Sequence, residues 1–194
     1  MHVVGPGIEI SAVIPTRGDV DMTQILAKLG DYPEVKEVLV MVGDTPFNRY
    51  LGARKAKYEV IYTQDDDCIT DLRPLINNYR PGLIVNAMTP QHAKNYPGRQ
   101  TLIGFGAIFD KGLVHVLDGW EQDDLFLREA DRVFASLNEH FTVFPEIDIL
   151  PCASAPNRLW CQPDHIAKRI AIEERIRAAH ATKALHPDLD RPAA

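Results

Sequence analysis

The N-terminal part of the chain alternates short apolar stretches with amphipathic ones, and this alternation restricts the fold more than any other feature. Ile10 to Pro15 is an apolar strand closed by proline and followed by Thr16-Arg17-Gly18-Asp19. Asp21 to Leu29 puts Met22, Ile25, Leu26 and Leu29 on one helical face. Val35 to Val42 is β-branched or apolar almost throughout, as expected of a parallel strand covered on both faces. Phe47 to Lys57 reads as a second helix, and Glu59 to Thr63 as a third strand running into Gln64-Asp65-Asp66-Asp67. Such a series predicts right-handed βαβ units in an α/β domain, with a Rossmann-like, mostly parallel central sheet and flanking helices. Ligands of these sheets bind beyond the carboxyl ends of the strands. The loops at 16–19, 43–46 and 64–68 all fall on that edge.

The rest of the chain is less regular. Leu83 to Asn86 and Thr101 to Phe109 read as strands, joined by a polar loop from Thr89 to Gln100 that contains His92. Asp123 to Leu137 is a helix whose stripe of Leu127, Ala130, Val133, Phe134 and Leu137 belongs to the core. Phe141 to Leu150 is extended, Pro151 to Pro163 is a loop, and Asp164 to Ala181 is a helix with Asp164 as its cap. Residues 1–182 are expected to form one domain, and 183–194 a flexible tail.

Composition narrows the classes of function. The 194 residues carry a formal net charge of −6, which disfavours generic binding of nucleic acid, whose affinity rests on neutralising phosphates. The basic residues between Lys168 and Arg177 read as a solvated helix face. No apolar run approaches the roughly 20 residues of a membrane-spanning helix. Three cysteines at these spacings form neither a paired framework nor a zinc site, which fits a reduced, cytoplasmic setting. No P-loop, nucleophile elbow or HExxH motif is present.

Three adjacent aspartates after a buried strand are costly, because like charges this close raise one another's pKa unless a cation sits among them. A hard divalent ion with oxygen ligands, Mg²⁺ or Mn²⁺, answers that cost and leaves positions open for phosphate oxygens. For an acidic triplet anywhere in a chain, a solvated turn that caps a short helix is the plainer explanation; at the carboxyl end of the third strand of a βαβ series, metal binding is the favoured one.

Ile10-Ser-Ala-Val-Ile-Pro-Thr-Arg17, the βα repeat behind it and Ile61-Tyr-Thr-Gln-Asp-Asp-Asp67 together resemble the GT-A glycosyltransferases, in particular compact family-2-like and exostosin-like members of bacterial or phage type. The resemblance spans roughly residues 10 to 170. It implies a nucleoside-diphosphate sugar as donor, a UDP-sugar first, with Asp67 as metal ligand, Asp65 on the donor's ribose or sugar, and Asp66 steadying the loop. Pro15, Thr16 and Arg17 would flank the base and diphosphate, and Asp44 would stand near the base or ribose. Asn48, Arg49 and Arg54 lie on the helix before the aspartates, where one of them would line the nucleotide pocket. Gly104 and Gly106 in Ile103-Gly-Phe-Gly-Ala-Ile-Phe109 resemble the family's glycine loop, where the backbone approaches the donor sugar.

The resemblance also implies an acidic base at a helix start and a histidine as second metal ligand. Asp131 is the first candidate for the base, with Glu129 beside it and Glu121-Gln-Asp-Asp124, including Asp123, as the competitor. His165 is the candidate ligand. The acceptor (a protein, a glycan or a modified DNA base, with DNA disfavoured by charge) and the stereochemical outcome stay open. Two other readings compete: a nucleotidyltransferase, for which Thr16-Arg17-Gly18 is a poor phosphate loop, and a nucleotide-sugar binding protein without catalysis.

Overall fold

The computed structural model describes residues 7–95 and 102–185. Six strands form the central sheet, in the order β2 (Val35–Val42), β1 (Ile10–Thr16), β3 (Val60–Thr63), β6 (Ala107–Asp110), β5 (Ile84–Ala87), β7 (His140–Val143). β1 runs parallel to β2 and β3, and β5 parallel to β7, while β6 is antiparallel to both of its neighbours. Five strands thus share one direction, and the expected mostly parallel α/β sheet with flanking helices is the observed one. A two-stranded antiparallel sheet of β4 (Cys68–Thr70) and β8 (Ile147–Ile149) stands apart.

Two apolar layers sandwich the sheet. On one face, α2 (Asn48–Lys55) and α5 (Asp124–Leu137) bury Phe47, Tyr50, Phe126, Val133 and Phe134 against Val13, Ile61 and Phe109. Aromatic pairs tie this layer, with Tyr50 and Phe134 ring centroids 4.9 Å apart. On the other face, α1 (Thr23–Gly30) and α3 (Arg73–Asn78) pack Ile25, Leu29, Leu75 and Ile76 over Ile10, Ile14, Val85 and Ile108. The short α4 (Pro90–Asn95) and the long α6 (His165–Leu185) complete the order.

Several elements differ from the sequence expectation. β2 has the expected ends, but it is an edge strand, and Val38, Val40 and Val42 are exposed rather than covered. Apolar alternation by itself cannot tell a central strand from an edge. The extended stretch from Thr101 begins only at Ala107, because Gly106 adopts φ +127 and turns the chain first. The loop from Thr89 holds α4, and residues 96–101 lie outside the described ones. α6 continues to Leu185, past the expected end at Ala181 and into the expected tail, of which 186–194 lie outside the described residues.

Candidate active site

The carboxyl ends of β1, β2 and β3 open into a cavity of about 700 Å³. Its floor includes Pro15, Thr16, Arg17, Asp44, the three aspartates and Gly104, and α5 and α6 contribute Glu129, Asp131 and His165 to its wall. Asn48, Arg54 and Gly106 do not line it. Asn48 donates to the Thr45 carbonyl at 3.1 Å, Arg54 pairs with Asp118, and a Cβ on Gly106 would lie 3.1 Å from the Tyr62 hydroxyl.

Each aspartate of the triplet has its own environment. Asp66 is buried, and both its oxygens are occupied: Oδ2 accepts from the Thr16 hydroxyl at 2.6 Å and Oδ1 from the Arg158 guanidinium at 2.6 Å. It therefore joins the end of β1 to the loop after β8. Asp65 binds the Arg49 guanidinium through Oδ1, and its amide donates to the Gly104 carbonyl at 2.7 Å. A Cβ on Gly104 would lie 2.2 Å from Asp65 Oδ2, so only glycine permits this approach. Asp67 has Arg158 Nε at 3.9 Å, beyond hydrogen-bonding reach. Burial, with Asp65 next, pushes the Asp67 carboxyl up to about 6 against the pull of Arg158.

Arg49, 1% exposed, stands between two acids. Besides Asp65, it faces Asp131 with Nε 3.1 Å from Oδ1, an ion pair whose angle does not make a hydrogen bond. Burial opposes the Arg49 charge, but Asp131 and Asp65 outweigh it and hold the guanidinium above its ordinary pKa. Tyr50, next on α2, donates its hydroxyl to the same Asp131 oxygen at 2.8 Å. Asp131 is thus tied into a Tyr50–Asp131–Arg49–Asp65 chain that is buried at Tyr50 and Arg49 and partly exposed at Asp131 and Asp65. Burial raises its pKa, Arg49 counters, and Asp65 adds to the rise.

Glu129 is held differently. Its backbone (φ −112, ψ 19) leaves the helical region inside α5. Its carboxylate, nearly buried, has His165 Nδ1 and Arg169 Nε each at 3.9 Å. Sparsely populated backbone angles are stored preferentially at functional sites. Burial raises the Glu129 pKa against the pull of Arg169 and Arg132. Burial, then Arg169, Arg132 and Arg128, lowers that of His165. Asp123, the competing base, caps α5 by accepting from the Phe126 amide at 2.8 Å and does not line the cavity.

The structure thus brings the triplet, Gly104, Glu129, Asp131 and His165 to one cavity, where His165 Nδ1 lies 3.9 Å from Glu129. Among the described residues, no group of three or more His, Cys, Asp and Glu side chains is arranged to hold a metal ion. Sequence reasoning passed over Arg158, Arg128, Arg132 and Arg169 as site residues. An arginine in a loop or on a charged helix carries no local mark of its partner's position. His92, noted on the 89–100 loop, does line the cavity, edge-on to Phe105 at 4.7 Å.

No protein-family model matches the chain, and no curated protein matches it. Among solved structures it is similar to a glycosyltransferase involved in the glycosylation of the major capsid of PBCV-1, at 9% identity and TM-score 0.49 over 70% of this chain and 82% of that one. It is similar to TarS 1–349 of S. aureus in complex with UDP-GlcNAc, at 13% identity and TM-score 0.46 over 70% and 56%. It is also similar to a Bacillus anthracis protein provisionally described as a glucose-1-phosphate thymidylyltransferase, at 10% identity and TM-score 0.43 over 78% and 76%. None of these likenesses reaches a TM-score of 0.5, so what the chain does has to be read from its own side chains.

Proposed function

We propose that the chain is a glycosyltransferase that moves a sugar from a nucleoside-diphosphate sugar, a UDP-sugar first, to a hydroxyl of an acceptor: a protein, a glycan or a modified DNA base. The observation that carries this reading is the acidic triplet at the carboxyl end of β3, facing a cavity of about 700 Å³, within the usual range for a small-molecule site. Thr16, Arg17 and Asp44, on the loops after β1 and β2, would hold the nucleotide, and Gly104 would let the sugar approach Asp65.

The divalent cation this reading implies, Mn²⁺ or Mg²⁺, fits the charges present. Asp65, Asp66, Asp67 and Asp131 form ion pairs with Arg49 and Arg158, and Arg169 also draws on Asp131, so the four acids outnumber these three arginines. Asp67, with the Oδ2 of Asp65, would hold the ion, and substrate oxygens would complete its shell, as is usual for Mg²⁺. When bound, it neutralises the departing diphosphate.

Glu129 is the carboxylate assigned to the acceptor proton. The acceptor oxygen attacks C1 of the sugar as Glu129 takes the hydroxyl proton, and the C1–O bond to the diphosphate breaks with its electron pair leaving on the diphosphate. A direct displacement of this kind inverts C1. Burial lifts the Glu129 pKa toward neutrality, which suits a general base. Asp131, already engaged by Tyr50 and Arg49, is a positioning residue for Asp65.

Titrating UDP, GDP, CDP and TDP with and without Mn²⁺ tests the reading. Metal-dependent binding of at least one of them, lost in Asp67→Ala, is expected. Release of pyrophosphate from a nucleoside triphosphate instead would assign a nucleotidyltransferase, and no binding of any diphosphate would overturn the proposal.

A further inference from the structure

The cavity wall formed by α5 and α6 carries charges for which the donor site has no use. Arg128 and Arg132 of α5 and Arg169 of α6 line it, with His165 beside them. Glu129 is the acid among them, since Asp131 is engaged by Arg49 and Tyr50. Two partners of these arginines stand outside the cavity: Arg128 meets Asp164 at 3.4 Å, and Arg132 meets Glu173. Side-chain exposure is 17% for Arg128 and 15% for Arg132, against 49% for Asp164 and 36% for Glu173. Ion pairs whose acid is in water contribute little and exchange readily. The arginines themselves are sheltered, so an anion reaching them from the cavity meets stronger fields than it would at the surface.

We propose that this wall binds the phosphate group of a phosphorylated acceptor, the acceptor role resting on the glycosyl-transfer reading above and the anion on the three convergent guanidiniums. Guanidinium forks match phosphate oxygens two at a time, which a lysine cluster would not do. Glu129 lies within the same group, so a phosphate held there would place a neighbouring acceptor hydroxyl beside the assigned base. Trp160 and Ile166 line the same cavity while largely exposed, at 59% and 65%, so the phosphate's carrier has apolar surface to lie on.

The test is calorimetric titration of the intact chain with inorganic phosphate, alone and with UDP and Mg²⁺ at saturation. Phosphate is expected to bind, to keep its affinity when UDP is present, and to lose roughly tenfold or more in Arg128→Gln/Arg169→Gln, about one charge-assisted hydrogen bond. UDP affinity should be unchanged in that variant. Should it fail to fold, Arg128→Lys/Arg169→Lys, which keeps the charges and removes the forks, is expected to show the same direction of change. Absence of phosphate binding, equal affinity in the variants, or displacement of phosphate by UDP would each overturn the proposal. If UDP does not bind, the donor reading fails, while the phosphate titration still decides this wall. Glucose 1-phosphate and farnesyl phosphate then separate the carriers. Tighter binding of the prenyl ester assigns a lipid-borne phosphate over Trp160 and Ile166, and the reverse order a soluble sugar phosphate.

Discussion

At the end of β3 each ion pair has at least one buried member, Arg49, Asp66 or Arg158, whereas along the α5–α6 wall the pairs of Arg128 and Arg132 have none. Asp66 is enclosed by Thr16 and Arg158, and Arg49 is enclosed between Asp65 and Asp131. Arg128 and Arg132, in contrast, point at the cavity while their acids look outward. An enclosed pair has one geometry, since breaking it strands a charge away from water. A pair with one partner in water has many near-equivalent geometries. The first arrangement suits a site that must place an oxygen reproducibly. The second suits a site whose arginines must be handed to a ligand.

The largest effect separating the two regions is expected on removing Arg49. Arg49→Met would leave the partly exposed Asp65 and Asp131 facing each other without their shared cation, with a loss of stability below the roughly 3–5 kcal/mol of a fully buried pair, read from urea unfolding. A loss no greater than that of a surface substitution would mean that the pairs at the end of β3 are not the enclosed ones described.

Arg158→Gln comes next. Asp66 would keep Thr16 but lose its charged partner, costing roughly 2–3 kcal/mol. Amide exchange in the loop from Pro151 to Asp164 should quicken, because the Arg158–Asp66 pair is one of the contacts that fasten that loop to the end of β3. Unchanged exchange there would show that the loop is held by other contacts.

Gly104→Ala should move activity more than stability. The added methyl must displace the Asp65 carboxylate, 2.2 Å away, and a shift of about 1 Å at a catalytic group can cost around 100-fold in rate. Sugar transfer measured beside the melting temperature separates the two effects.

Glu129 supplies the pH dependence, facing His165, Arg169, Arg132, Arg128 and Asp131. Its folded pKa lies above the ordinary 4.5, so the folded chain holds this proton more tightly than the unfolded one. Stability contributed at this position is therefore full at low pH and falls as pH rises through the raised value. Glu129→Gln should accordingly gain melting temperature relative to the parent as pH climbs above 4.5, while losing transferase activity. A difference independent of pH would remove the raised carboxyl from the account.

The smallest effect belongs to the outer rim of the wall. Lys168→Ala removes a cation from Asp124 and Asp164, both well exposed, and no measurable change in melting temperature is expected. A clear loss would make the wall an enclosed network like the end of β3.

The sequence by itself determined the elements whose signals are local. Apolar stretches and their breakers located β1, β2 and β3 within a residue or so, and with them the edge where the loops meet. The cost of three adjacent charges marked Asp65 to Asp67 before any coordinate was known, and the acids of α5 were legible as charges interrupting an apolar stripe. Only the tertiary structure decided how those charges are answered. The premise that a cation must sit among the aspartates is met in part by Arg49, 16 positions before Asp65, and by Arg158, 92 positions after Asp66. It also set His165 3.9 Å from Glu129, gave Asp131 the hydroxyl of Tyr50 as a partner, and bent α5 at Glu129. Periodicity and turn chemistry act over a few residues, so they write themselves into the chain. The pairing of distant charges is fixed by how sheet, helices and closing loop pack, and no short stretch of sequence records it.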